Sequence, residues 1–253
     1  MAVVLAAMDS HFALDFATEE PPEPTVVAAF PEPGLGGLSA NQYLIEQMSL
    51  TETGHIQAEG LPAITPYANG RAYHHTRLFS TEGLNATVLT CELPIPIQFS
   101  EPYGRMLLNW IEETEIEEIT LLTTIPTLEA TKDLLYVASD DYADTRLANQ
   151  SMKPLSGGFL TGVNASLIAR AIETNLRVGV LATGGNPHVP VDGEAALRLV
   201  EGLDALYELG VDTTQLKQFA EESSQYYREL MEQIEAHQRA QSQRPRTDDY
   251  GFM

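Results

Sequence analysis

VVAAFPEPGLGGLSANQYLIEQM, from Val26 to Met48, is the stretch on which the reading of this chain turns. An apolar run ends at Phe30, a Pro/Gly loop follows, and a helical pattern then begins. A strand, a glycine loop and a helix in that order is how phosphate-binding loops are built, because backbone N–H groups converge at the helix N-terminus and glycines let an anion approach. Gly34, Gly36 and Gly37 meet the spatial requirement. They do not match G-x-x-x-x-G-K-[ST], since no lysine and Ser/Thr follow in register. They do not match G-x-G-x-x-G either, because Ser39 holds the third glycine position. The loop therefore reads as the backbone turn that feeds a strand into the first long helix.

Working outward, the acidic, Pro-rich TEEPPEPT separates a strand around Phe12–Phe16 from the one at Val26–Phe30. In the helix after the loop, Leu38, Tyr43, Ile45 and Met48 fall roughly on one face. From Gly54 to Ile95, Gly, Pro and Asn-Gly punctuation alternates with short β-branched and aromatic runs, which predicts strands and hairpins. From Glu101 the pattern becomes α/β. EPYGRMLLNWIEET is an amphipathic helix, EEITLLTTIP a buried strand stopped by Pro126, and DLLYVAS a further strand. Asp140 or Asp141 then caps a short helix through Leu147. LSGGFLTGVNASLIARAIE, with Gly157, Gly158 and Gly162, is a second glycine turn feeding a helix, and RVGVLATGG a buried strand ending in glycines. Asp192 caps a helix striped by Ala196, Leu199, Val200, Leu203 and Leu206. The last helix, Thr214 to Ala240, carries Leu216, Phe219, Ser223, Tyr227, Leu230 and Ile234 as a seam for its own domain or for another subunit. One domain, 1–240, precedes a polar tail, 241–253.

Composition narrows the function classes. The chain has 253 residues, enough for a substantial core, and 14 basic against 36 acidic residues give a net charge of −22. Such a surface repels nucleic acid and anionic lipid, so neither is an expected partner. The lysines are Lys132, Lys153 and Lys217, and an acidic, lysine-poor surface suits a halophile's cytoplasm. AVVLAAM lacks a basic n-region and is far shorter than a membrane span, so a cytoplasmic protein is expected and the sequons at Asn85, Asn149 and Asn164 are chance matches. Cys91 is the single cysteine, which excludes an intrachain disulfide, and its strand-like apolar context suits an inert thiol.

No catalytic constellation stands out. His11, His55, His74, His75, His188 and His237 show no metal-ligand spacing, and His74 and His75 would face opposite sides of a strand. No G-x-S-x-G elbow surrounds Ser39 or Ser156. The acidic clusters Glu112–Glu118 and Asp140–Asp144 read as solvated faces and caps in a chain this acidic. No cofactor is expected. At the C-terminus, Tyr250, Phe252 and Met253 put two aromatics beside a free carboxylate, a tip that a pocket and a lysine could hold.

In their order and spacing, FPEPGLGGLSANQYLIEQM, GHI, PYANGRAYHHTRLF, VLTCELPIP, EEITLLTTIP, LSGGFLTGVNASLI and the helix start at Asp192 resemble the proteasome assembly chaperone 2 family in its archaeal form. The resemblance spans about Phe12 to Glu235. It implies a single α/β domain, a central mixed sheet flanked by helices in the manner of nucleoside phosphorylases but without their catalytic residues, plus a C-terminal helical segment. It implies a non-enzymatic homo-oligomer that binds proteasome α-type subunits and assists their assembly. For some members it also implies a hydrophobic–tyrosine–any-residue tail that docks between α subunits. Here Gly251, Phe252 and Met253 stand at those positions, so the tyrosine hydroxyl is lost and the aromatic bulk kept. The rival from another class is a nucleotide or nucleoside enzyme, ligase- or phosphorylase-like, with a concave pocket shared by the Gly34–Gly37 and Gly157–Gly158 loops.

Overall fold

The computed structural model describes residues 13–18, 22–126, 133–186 and 189–242, with backbone alone for 13–18, 228 and 231–242. The long apolar runs become the centre of a nine-stranded mixed sheet. Its parallel heart is β2 (Thr25–Ala29) between β7 (Ala86–Cys91) and β8 (Glu118–Pro126), with β11 (Arg177–Gly185) beyond β8. On one side the sheet continues antiparallel through β6 (Thr76–Ser80), β3 (Thr51–Glu59) and β1 (Ala13–Thr18). On the other it ends with antiparallel β9 (Leu134–Ala138) and the short β10 (Lys153–Pro154). The Asn69-Gly70 turn closes a small hairpin, β4 (Tyr67–Ala68) with β5 (Arg71–Ala72), at positive φ in both turn residues, as the type I′ geometry of a two-residue loop requires.

The central strands are apolar without alternation because both faces are covered. Val26, Ala28 and Phe30 point into one core with Ile119, Leu121, Val178 and Val180. This core lies under α2 (Ile97–Glu112) and α4 (Gly162–Ala171). Val27, Ala29, Leu122 and Leu181 point into the other, under α1 (Gly36–Gln47) and α5 (Gly193–Tyr207). All five residues of the α5 stripe are buried. The first turns of α6 (Thr214–Ser242) close this layer through Leu216 and Ala220.

Several elements differ from the sequence expectation. In α1 the inward face is Gly37, Ala40, Asn41, Leu44 and Ile45, while Leu38, Tyr43 and Met48 are half-buried. That face joins Leu44 and Ile45 to small and polar residues, Gly37, Ala40 and Asn41, which hydrophobic periodicity passes over. Helix α2 starts at Ile97, a turn before Glu101, with Pro102 inside it. The N-cap of α3 (Asp140–Tyr142) is Ser139 rather than an aspartate, and its Oγ accepts the N–H of Val178 in β11 instead of capping. The helix then widens into a π-helical turn, Ala143–Leu147. Asp192 does cap α5, its Oδ1 accepting the N–H of Ala195 at 2.9 Å. Along α6, Phe219 and Leu230 are exposed, Ser223 and Tyr227 are half-buried, and the Ile234 side chain lies outside the described residues.

Candidate functional site

The natural place for chemistry in a parallel sheet is the C-terminal edge of the strands, where the connections diverge to either side. Strand β2 occupies that position, since β7 is its neighbour on one side and β8, reached by crossing over β2, on the other. The Pro31–Leu35 loop sits there, tightened by a turn in which the Leu35 N–H donates to Glu32 O at 3.0 Å. Leu35 is the N-cap of α1, in left-handed conformation at φ 49°, and its side chain offers no acceptor to the helix. Glu32 supplies the missing one. Its Oε1 accepts the Gly37 N–H at 3.1 Å, while Oε2 accepts the Thr123 hydroxyl at 2.6 Å and the Thr124 N–H at 2.5 Å. The end of α1 that could have faced a phosphate holds the protein's own carboxyl group.

The neighbouring helix is filled in the same way. Asp192 takes the Ala195 N–H on Oδ1 and the Asn186 N–H on Oδ2, and its own N–H donates to Gly34 O at 2.7 Å. The Thr124 hydroxyl donates to Pro33 O, which ties the loop to β8. A Cβ on Gly36 would fall 2.6 Å from Thr124 Cγ2, and one on Gly37 would fall 2.9 Å from Leu122 O. These glycines permit close packing of α1 on β8 and α5. Burial pushes the Glu32 carboxyl up to about 7, although all three donors favour its charged form.

The second loop differs. Gly157 and Gly158 are exposed, and a Cβ on either would meet nothing within 4 Å. Gly162, at φ 70°, opens α4 behind Thr161, whose side chain makes no capping bond. Helix α4 lies on the opposite face of the sheet from α1. The two glycine loops thus serve helices on opposite faces, and the structure does not join them in one pocket of convergent polar groups. An open depression of about 560 Å³ lies elsewhere, at the N-terminal ends of β8 and β11 beside Ile116, Asn175 and the ion pair Arg177–Glu117.

The acidic clusters contain one residue that is neither solvated nor a cap. Glu118 is fully buried and accepts from Arg146 Nε at 2.8 and 3.0 Å, from Arg177 Nε at 3.1 Å and from the Tyr207 hydroxyl at 2.9 Å. Tyr207 and Tyr142 both bond the Thr120 hydroxyl, and burial raises both phenols, Tyr142 to about 12. The π-helical turn carries Arg146 to this site, over the Tyr207 ring at 4.8 Å. Every polar group there answers another, so the cluster staples β8, β11 and α5 together. Neither Glu32 nor Glu118 could be singled out from sequence, because their partners lie up to 92 positions away.

His74 and His75 lie just before β6 rather than in a strand. The His74 ring stacks on His55 at 3.6 Å, and His75 Nδ1 meets the Thr76 hydroxyl at 2.8 Å. Among the described residues no His, Cys, Asp or Glu cluster could hold a metal. Cys91 is buried, and burial raises its thiol, which keeps it protonated and unreactive. Tyr250, Phe252 and Met253 lie outside the described residues, as do His11 and His188. No helix among the described residues is long and apolar enough to cross a membrane.

The fold and this self-filled edge define a class: a mixed α/β protein whose phosphate-loop geometry has been turned to packing. The chain belongs to the PAC2 family, whose model matches residues 26–231. Among solved structures, Pyrococcus furiosus PbaA, described as an archaeal homolog of proteasome-assembly chaperone, is similar at 20% identity and a TM-score of 0.76, covering 90% of this chain and 96% of that one. Pyrococcus furiosus PbaB, described as an archaeal proteasome activator, gives 17% identity, a TM-score of 0.73, and 86% and 98% coverage. A PAC2 family protein from Streptomyces avermitilis gives 16%, 0.62, and 82% and 96%. At these identities the likeness speaks for the fold. Comparison with the curated proteins gives no match.

Proposed function

We propose that this protein is a non-enzymatic chaperone that binds proteasome α-type subunits and assists their assembly, working as a homo-oligomer. The observation that carries the reading is Glu32. In a chain of this family, the Pro31–Leu35 loop, shaped like an anion cradle, is occupied by its own carboxyl group, which favours the surface as the working part. With a net charge of −22, the partner surface it suits is basic. The folded unit 1–240 supplies that surface, and the tail 241–253 supplies a second point of contact through Tyr250, Phe252 and the Met253 carboxylate. An acidic, lysine-poor surface supports reading it as a cytoplasmic protein of a halophile.

A pull-down at high salt from the native cytoplasm tests this, run with the full chain and with Gly251, Phe252 and Met253 removed. Recovery of α subunits by the full chain is expected, with weaker recovery after the deletion. Recovery of none by the full chain overturns the proposal. Equal recovery by both chains removes the tail from it.

A further inference from the structure

At 20% charged residues, a segment of a dozen positions should hold two or three charges. Gly60–Gly70, Leu93–Ser100 and Pro154–Ala169 hold none. The fold brings all three to the C-terminal edge of the parallel strands, on the side of α2 and α4. Thr76, at the start of β6, pairs with both Ile56 and Cys91, so the segments after β3 and after β7 leave the sheet at one edge. The Tyr73 hydroxyl donates to Glu92 and ties the base of the β4–β5 hairpin to the segment entering α2. Leu61, Ile95 and Leu160, one from each segment, pack on the same core. Helices α2 and α4 run side by side, with Gly104 against Ser166 and Glu101 bonded to Ser166 and Arg170. Ile97 stands two turns before Gly104, and Phe159 precedes Ser166 by the same number of residues.

This edge also carries large apolar side chains in water. Phe159 is 99% exposed, Tyr67 79%, Ile97 69% and Ile64 46%. A cluster of that kind on a soluble chain marks a contact site. Its charges are distinctive too. Of the nine described lysines and arginines, Arg71 and Arg105 make no ion pair within 4 Å, and they lie on the β4–β5 hairpin and on α2 beside this cluster. Exposed Glu101 lies one turn before Arg105 on α2, and exposed Glu59 ends β3 on the chain leading to the hairpin.

We propose that this uncharged edge, centred on Phe159, Tyr67 and Ile97, is where a second copy of the chain docks. The proposal rests on the homo-oligomeric reading and names its surface. Two copies at −22 repel each other, and at this edge apolar area can be buried without burying like charges. A two-fold contact brings the same patch from both copies together. Arg71 and Arg105 of one copy, which make no ion pair within 4 Å in their own chain, then face exposed acids such as Glu59 of the other, so the rim is complementary to itself. The uncharged centre supplies hot-spot aromatics in a desolvated core, and the charges form the rim.

Sedimentation equilibrium of the full chain in concentrated NaCl tests this, on the wild type, on Phe159→Asp with Tyr67→Asp, and on Leu230→Asp in α6 as a comparison surface. The wild type is expected above its monomer mass of 27.7 kDa. The double variant should raise the dissociation constant by about 100-fold or more and sediment as monomer. Its circular dichroism should match the wild type, since both side chains are exposed. Should it fail to fold, Phe159→Ser replaces it and is expected to shift dissociation in the same direction. Leu230→Asp should keep the wild-type mass. A monomeric wild type overturns the homo-oligomeric reading and this proposal with it. An oligomer that survives Phe159→Asp with Tyr67→Asp, or is lost in Leu230→Asp alone, overturns the surface while leaving the oligomer standing.

Discussion

Glu32 joins three parts of the molecule through two oxygens: the end of β2, the first turn of α1 and the far end of β8. Its carboxyl is raised from 4.5 to about 7 because burial outweighs three donors that favour the charge. The folded state therefore holds this proton more tightly than the unfolded chain does. Stability from Glu32 is fully present below pH 4.5 and is lost as pH rises through about 7. The whole effect is on the order of 3 kcal/mol. Glu32→Gln cannot titrate, so the free-energy difference between wild type and variant isolates this group from the other carboxylates. Urea unfolding at half-unit steps should show the wild type losing ground to the variant between pH 4.5 and 7, with a constant difference below 4.5. A difference that stays flat across that window would mean that Glu32 is ionised throughout.

At the scale of the element, α1 shows why part of this fold was open to sequence reasoning and part was not. Strands β8 and β11 announce themselves as unbroken apolar runs because helices cover both faces, and α5 does so through a full stripe and a local cap at Asp192. Those signals are carried by neighbours in the chain. The inward face of α1 is Gly37, Ala40, Asn41 and Leu44, and its acceptor comes from outside the helix, so neither shows in a hydrophobic pattern. Glu118 is invisible for the same reason: Arg146 and Arg177 meet it only once β11 lies beside β8 and the π-helical turn is in place. The two glycine loops, alike in sequence, should respond oppositely to a methyl group. Gly37→Ala would set a Cβ 2.9 Å from the Leu122 carbonyl, a backbone atom that cannot turn aside, and should cost about 2 kcal/mol or more. Gly157→Ala meets nothing within 4 Å and should stay within about 0.5 kcal/mol of wild type. Denaturant midpoints of the two variants check this, and equal losses would show that α1 is free to lift off β8.

For the whole molecule, charge is the property that reaches furthest. Thirty-six acidic residues face fourteen basic ones, and seven of the nine described cations are already held in ion pairs. The excess of acids has no internal counterweight, so the folded state carries a self-repulsion that the expanded chain relieves. Salt changes the balance with distance. The screening length falls from roughly 10 Å at 0.1 M to roughly 3 Å at 1 M, shorter than most separations between surface carboxylates but comparable to the contacts inside the buried Glu118 cluster. Added NaCl should therefore remove repulsion across the surface and leave Arg146–Glu118–Arg177 intact. The melting temperature is expected to rise between 0.1 and 1 M NaCl and to rise equally with choline chloride, whose bulky cation screens without binding carboxylates tightly. A rise with sodium alone would point to specific cation sites among the surface acids in place of screening. A melting temperature that falls with both salts would mean that surface ion pairs, not repulsion, dominate the charge balance of this chain.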